Sequence, residues 1–168
     1  MFYQSYVQMK KMLGQVEKWL DQTESFAKEK SVEANLFLTF RLAPDQFPLV
    51  RQIQTACDTA KLSSSRLTGK EAPKHPDTEA TLDEIRARIR SVIEYLDGFS
   101  AKDFEGAAAR TITQPRWEGK VMTGEDYFLE HAQPNFFFHL AHTYAILRHN
   151  GVPVGKRDYL GTLNQRQP

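Results

Sequence analysis

Apolar side chains recur at helical intervals through the opening of the chain. Tyr6, Met9, Leu13, Val16 and Leu20 follow at steps of three and four, Met12, Trp19 and Phe26 widen the stripe, and Lys10, Lys11, Glu17, Lys18 and Asp21 take the other faces. Residues spaced in this way share one side of an α-helix, so the pattern predicts an amphipathic first helix that packs its stripe into a core.

The next run, "SVEANLFLTFRLAPDQFPLV", reads as a connector. Ser31 is placed to cap a short helical piece through Phe40, and Pro44 breaks the chain. Asp45 is placed to cap a second helix with Pro48 in its first turn, where a missing N–H costs no intrahelical bond. That helix is expected to run to about Thr68, stop at Gly69, and bury Phe47, Val50, Ile53, Cys57 and Ala60. The proline-containing linker "KEAPKHPD" leads to a third helix from Asp77 or Thr78, with Leu82, Ile85, Ile89, Ile93 and Leu96 on one stripe and Gly98 as the stop. Its charges from Glu84 to Arg88 and at Glu94 mark an outer face of the usually solvated kind.

Between residues 99 and 122 the helical period fades. Thr, Ile and Val around "QPRWEG" predict a β-hairpin or extended excursion. Thr123 and Asp126 form a capping arrangement that opens a fourth helix over Gly124 to His149, stopped at Asn150-Gly151. Pro134 lies inside it and either kinks it or lets a fresh helix start at Asn135. The tail "VPVGKRDYLGTLNQRQP" is expected to be extended. Four long amphipathic patterns predict an all-α four-helix bundle, one domain over residues 1–168, with a small β-hairpin excursion between helices three and four. The long connector after the first helix leaves a crossing of the bundle end open.

The fourth helix carries the candidate chemistry. At about 100° per residue, Phe128, Ala132, Asn135, His139, His142 and Ile146 return to one side, with His139 near the centre and His142 at the edge. Two imidazoles three residues apart point the same way and can share a metal ion if a facing helix adds a third ligand. Water on that ion would ionise near neutral pH. The second helix offers no histidine, and Asp58 is its best hard ligand and Cys57 its best soft one. The bland alternatives are a buried, hydrogen-bonded His139, a boundary His142, a His149 favourably placed at the helix C-terminus, an exposed His131, a loop His75, and no more than a surface ion pair among Arg51, Asp58 and Lys61. Phe136, Phe137 and Phe138 cover three faces at once, so one of them must face the tail, the hairpin or a second subunit.

Composition narrows the classes. Lys plus Arg total 22 against 21 Asp plus Glu, a net charge of +1, which gives no electrostatic footprint for nucleic acid or an anionic membrane surface. The one cysteine, Cys57, has no partner within the chain, and a reducing, cytoplasmic setting is expected. The opening stretch does not read as a secretory signal, and His139, His142 and Arg148 interrupt the apolar character of the fourth helix short of a membrane span.

Three stretches carry a family resemblance: "RLAPDQFPLVRQIQTACDTAK", "PDTEATLDEIRARI" and "PNFFFHLAHTYAILRHNGVPVGKRDYLG". They resemble the DinB/YfiT-like four-helix-bundle superfamily, in the branch catalogued as domain of unknown function 1993. The resemblance implies an up-down-down-up bundle with a long crossover after the first helix. It also implies pairing through helices, hence a homodimer, and a divalent metal such as Zn or Ni held by one histidine on helix two and two on helix four. Only His139 and His142 match that pattern here; Gln54, Asp58 and Cys57 stand where the helix-two histidine is missing.

Two functional expectations follow. In one, the chain is a small-molecule-binding or dimeric interaction module with a polar pocket around Arg51, Gln54, Asn135 and His139. In the other, His139, His142 and Asp58 hold a divalent metal that activates water or a thiol in a hydrolase or thiol transferase, with Arg51 and Lys156 neutralising an anionic group. The residues leave open whether the chain is an enzyme.

Overall fold

The stripe on the first helix is the face it buries. In a computed structural model describing residues 1–167, α1 spans Phe2–Glu29 and sinks Tyr6, Met9, Met12, Leu13, Val16, Trp19 and Leu20 into the core. Each such side chain taken out of water stabilises the fold by about 1.5–3 kcal/mol before conformational entropy is set against it.

The second long helix, α2 (Leu49–Thr68), ends where Gly69 adopts φ 82, a left-handed turn that glycine takes without strain. The third, α3 (Leu82–Asp97), opens on a full capping box: Thr81 accepts from the Glu84 N–H, and the Glu84 carboxylate accepts from the Thr81 N–H. The expected fourth helix consists of three pieces in series. These are a short turn α4 (Gly124–Asp126), a π-helical segment Tyr127–Ala132, and α5 (Gln133–His149). The π segment wraps the chain one residue wider per turn just ahead of Pro134, so the missing proline N–H falls where the register already changes.

Ion pairs, hydrogen bonds and ring contacts fix the directions. Glu17 of α1 pairs with Arg90 of α3, and Asp21 and Glu24 pair with Arg86, so these helices run antiparallel. Asp58 of α2 meets Arg88, and Lys70 just beyond α2 meets the carbonyl of Gly98 just beyond α3, so α2 and α3 run parallel. Against α5 the order reverses: Gln52 faces His139 and Thr59 faces Asn135, while Arg66 reaches Tyr127 in the π segment. Tyr6 packs at a tilt against Phe128 and Trp19 meets Tyr144 edge-on, which aligns α1 with the last helical run.

The expected excursion is present as a two-residue antiparallel pair, Thr111–Ile112 (β1) with Met122–Thr123 (β2). It is held down by a close approach at Gly124, where a Cβ would lie 1.9 Å from the carbonyl oxygen of Ala107. Thr123 caps the following turn by accepting from the Asp126 N–H.

Several boundaries differ from the pattern. The connector helix is a 3-10 turn at Ala34–Thr39 capped by Glu33, while Ser31 sits at φ 55 and caps nothing. Pro48 is itself the N-cap of α2, because its extended backbone lies outside the helix; Phe47 therefore hangs at the rim, 49% exposed. α3 starts at Leu82, not Asp77 or Thr78, because the prolines hold the linker extended until Thr81 can cap. The tail is not wholly extended: α6 (Lys156–Leu160) packs on α1, with the Trp19 indole donating to the Asp158 carbonyl and Tyr159 stacking on Trp19.

Candidate functional site

His139 is buried, as its place at the centre of the stripe predicts. Its Nδ1 stands 2.7 Å from Gln52 Oε1. The Gln52 amide is oriented by its Nε2, which donates to the Phe47 carbonyl at 3.1 Å, so the imidazole Nδ1–H donates to Gln52. Burial, then the neighbouring charges of His142 and Arg51, pull the His139 pKa down to about 4. The ring is neutral at pH 7 and lies face to face with Phe47. His142 donates through Nδ1 to the Phe138 carbonyl one turn back, at 2.7 Å.

The three residues expected to hold a metal are not brought together. Asp58 turns toward α3, where Arg88 binds it at 2.7 Å and Lys61 at 2.8 Å. Cys57 is fully buried, and burial pushes its thiol up to about 12, so it stays protonated at neutral pH. Among the described residues no group of three His, Cys, Asp or Glu side chains stands close enough to hold a metal ion. The side chains present do not fit a Zn or Ni centre.

The residues expected around one pocket, Arg51, Gln54, Asn135 and His139, have separate hydrogen-bond partners, although Arg51 and His139 both pack on the Phe47 ring. Arg51 pairs with Asp77 and donates to Gln54, which in turn donates to Glu79 at 2.8 Å. Lys156 lies on α6 against α1, away from all of them. His139 keeps to Gln52 and Phe47, and Asn135 donates to the Thr59 hydroxyl at 2.7 Å.

Two polar regions replace the expected single pocket. The first ties α2, the linker and α3. Arg88, its side chain 1% exposed, binds Asp58, Asp77 and Glu79 at 2.7–2.9 Å. Burial opposes its charge, but the hydrogen bond it donates to Glu79 and the charges of Asp58 and Glu79 outweigh it and raise the guanidinium pKa. Lys61 meets His75 Nδ1 at 2.9 Å, and His75 Nε2 reaches the Ser91 hydroxyl at 3.1 Å. An ammonium can only donate, so His75 accepts at Nδ1 and donates at Nε2. Burial and the adjacent Lys61 and Arg88 charges lower its pKa. Arg86 and Arg88, expected on a solvated face, are both buried, because acidic partners from α1, α2 and the linker fold over them.

The second region is a cavity of about 280 Å³ on the other flank of α2. Thr55, Asp58, Thr59, Leu62 and Arg66 form one wall; Gln114, Pro115 and Arg116 of the excursion form another; Tyr127, His131 and Asn135 close it. His131, expected to be exposed, lies parallel to the Tyr127 ring with centroids 5.4 Å apart and meets Trp117 edge-on. Arg116 donates to His131 Nε2, which forces the imidazole proton onto Nδ1. Burial and the Arg116 and Arg66 charges lower the His131 pKa. Arg66 donates to the Tyr127 hydroxyl at 3.1 Å. A neighbouring groove lined by Glu130, His131, Pro134, Asn135 and Phe138 shares His131 and Asn135 with it. Of this cavity only Asp58 and Asn135 were expected as site residues. Tyr127 and His131 carried a signal, aromatic rings four apart on one helix, but Gln114 and Arg116 arrive through the excursion, whose docking no period predicts.

Comparison with known proteins bears on this arrangement. The family described as Domain of unknown function (DUF1993) matches residues 1–160. No curated protein matches the chain. The crystal structure of a DinB family member protein from Shewanella denitrificans superposes with a TM-score of 0.94 at 53% identity, over 97% of this chain and 93% of that one. No helix of the described residues is long and apolar enough to cross a membrane.

Proposed function

The chain belongs to the DUF1993 family, and from that premise we propose that it is a small-molecule-binding protein that works without a metal, on an up-down-down-up four-helix frame. The helix directions given by the Glu17–Arg90, Asp58–Arg88 and Gln52–His139 pairs support the frame. The site is the cavity between α2, the π segment and the excursion. The observation that carries this reading is that Arg66, Arg116, Gln114 and His131 line one cavity in which, among the described residues, neither guanidinium has a carboxylate partner, while Gln114 Nε2 and His131 Nδ1 are buried beside it without a hydrogen-bond partner. Guanidinium groups without a carboxylate partner at a cavity are free to hydrogen-bond a ligand's acceptors. The π segment supports the reading further, since such one-turn widenings are common where a helix builds a site.

The test is a fragment screen by NMR on the full chain. Hits are expected to shift Gln114, His131 and Asn135 resonances; hits that shift only residues outside the cavity would reject it as the site.

A second reading, a homodimer through the rim of α2 and α5, has its own support. Phe47 and Phe138, 49% and 53% exposed, flank His139 as one aromatic patch. Sedimentation equilibrium is expected to give a dimer that Phe138→Ser dissociates; a monomer at all concentrations would reject it.

A further inference from the structure

Resting on the cavity as a binding site, we propose that its ligand is a small oxyanion, a carboxylate or phosphate monoester on a compact apolar body, held by Arg66 and Arg116. Neither guanidinium has a carboxylate within ion-pairing distance among the described residues, while Arg86, Arg88 and Arg90 each have at least one. The two are anchored on one platform of stacked rings, Arg66 on the Tyr127 hydroxyl and Arg116 on His131 Nε2, and both line the same cavity. Gln114 and His131 line the same cavity, and behind its surface Gln114 Nε2 and His131 Nδ1 are buried without a hydrogen-bond partner among the described residues.

The one carboxylate on the wall, Asp58, is already bound by Arg88 and Lys61, which offset its repulsion of an incoming anion. Glu130 lines the adjoining groove, not the cavity itself. Fixed guanidinium forks suit a planar or tetrahedral oxyanion, and Leu62, Pro115 and the Tyr127 ring give an apolar body something to pack on.

Isothermal titration of the full chain with benzoate, phenyl phosphate and the neutral benzamide tests this. One or both anions are expected to bind saturably and more weakly as KCl is raised, while benzamide does not bind. The better anion of the two identifies which oxyanion the site prefers. Arg66→Gln and Arg116→Gln are each expected to weaken anion binding about tenfold or more, the scale of a lost charge-assisted hydrogen bond. Circular dichroism melts are run beside them to show that each variant is folded, and Arg116→Lys, which keeps the charge without the fork, should fall between. Benzamide binding as tightly as benzoate overturns the oxyanion inference but leaves the cavity a small-molecule site. Anion binding unchanged in both folded arginine variants overturns the inference as well. Failure of all three probes overturns both readings.

Discussion

Arg88 and Arg116 stand on opposite flanks of α2 in opposite circumstances. Arg88 is sealed among Asp58, Asp77 and Glu79, and its Nε lacks an acceptor among the described residues. Arg116 lines an open cavity and, among the described residues, finds an imidazole and no carboxylate, with Gln114 on the same wall. A cation enclosed by matching carboxylates holds helices and linker in register. A cation left with donors for neighbours adds little to the fold and is available to something outside it.

The largest effect expected from breaking this contrast is at Arg88. Arg88→Met strips three carboxylates of their common partner and should cost about 3–5 kcal/mol in urea unfolding. It should also open the linker over residues 71–80 to limited proteolysis.

Acid titration comes next. The folded pKa of His139, about 4, lies below the ordinary histidine value, so the unfolded chain binds its proton first. Its contribution is complete above pH ~6.5 and is lost progressively as pH falls toward 4, up to about 3 kcal/mol. Asp77 and Glu79, whose pKa values are lowered on balance because their arginine hydrogen bonds outweigh burial, begin to lose stabilisation only at more acid pH. Melting temperatures between pH 6.5 and 4.5 therefore isolate the histidines, and His139→Gln should flatten part of the slope. His75, its pKa also lowered, contributes with the same sign.

Gly124→Ala is expected to cost about 1–3 kcal/mol, since the new Cβ would collide with the Ala107 carbonyl and push the excursion off α4. Calorimetry should show the loss, with a parallel loss of ligand binding at the cavity. The smallest effect sharpens the comparison from the other flank. Gln114→Met and Arg116→Gln should change stability by no more than about 0.5 kcal/mol, and Gln114→Met, which removes an unsatisfied donor, should err toward stabilisation. A loss of several kcal/mol from either, measured by urea unfolding, would make the cavity flank structural after all.

The stripes on α1 and α3, the stop at Gly69, the Thr123 cap and the burial of His139 were all legible in the chain, because each depends on neighbours within a turn or two. The partner of His139 was not. Gln52 lies on another helix, and its choice over Gln54 or Asp58 depends on the rotation of α2 against α5. The same rotation carries Asp58 toward α3 and Gln54 toward Glu79 of the linker, so the polar side chains grouped by spacing alone take separate partners. Arg86 and Arg88 misled for a related reason: local pattern treats charge as solvated, while their partners arrive from α1, α2 and the linker.

By itself, then, the sequence determined the helices, their buried faces and the place of the excursion, since periodicity and capping are local physics. Only the tertiary structure decided which polar groups meet. Ion pairs and hydrogen bonds form at contact range, so α2 had to be set between α3 and α5, and the excursion docked by Gly124, before Arg88 could be enclosed and Arg66, Gln114, Arg116 and His131 could face one cavity.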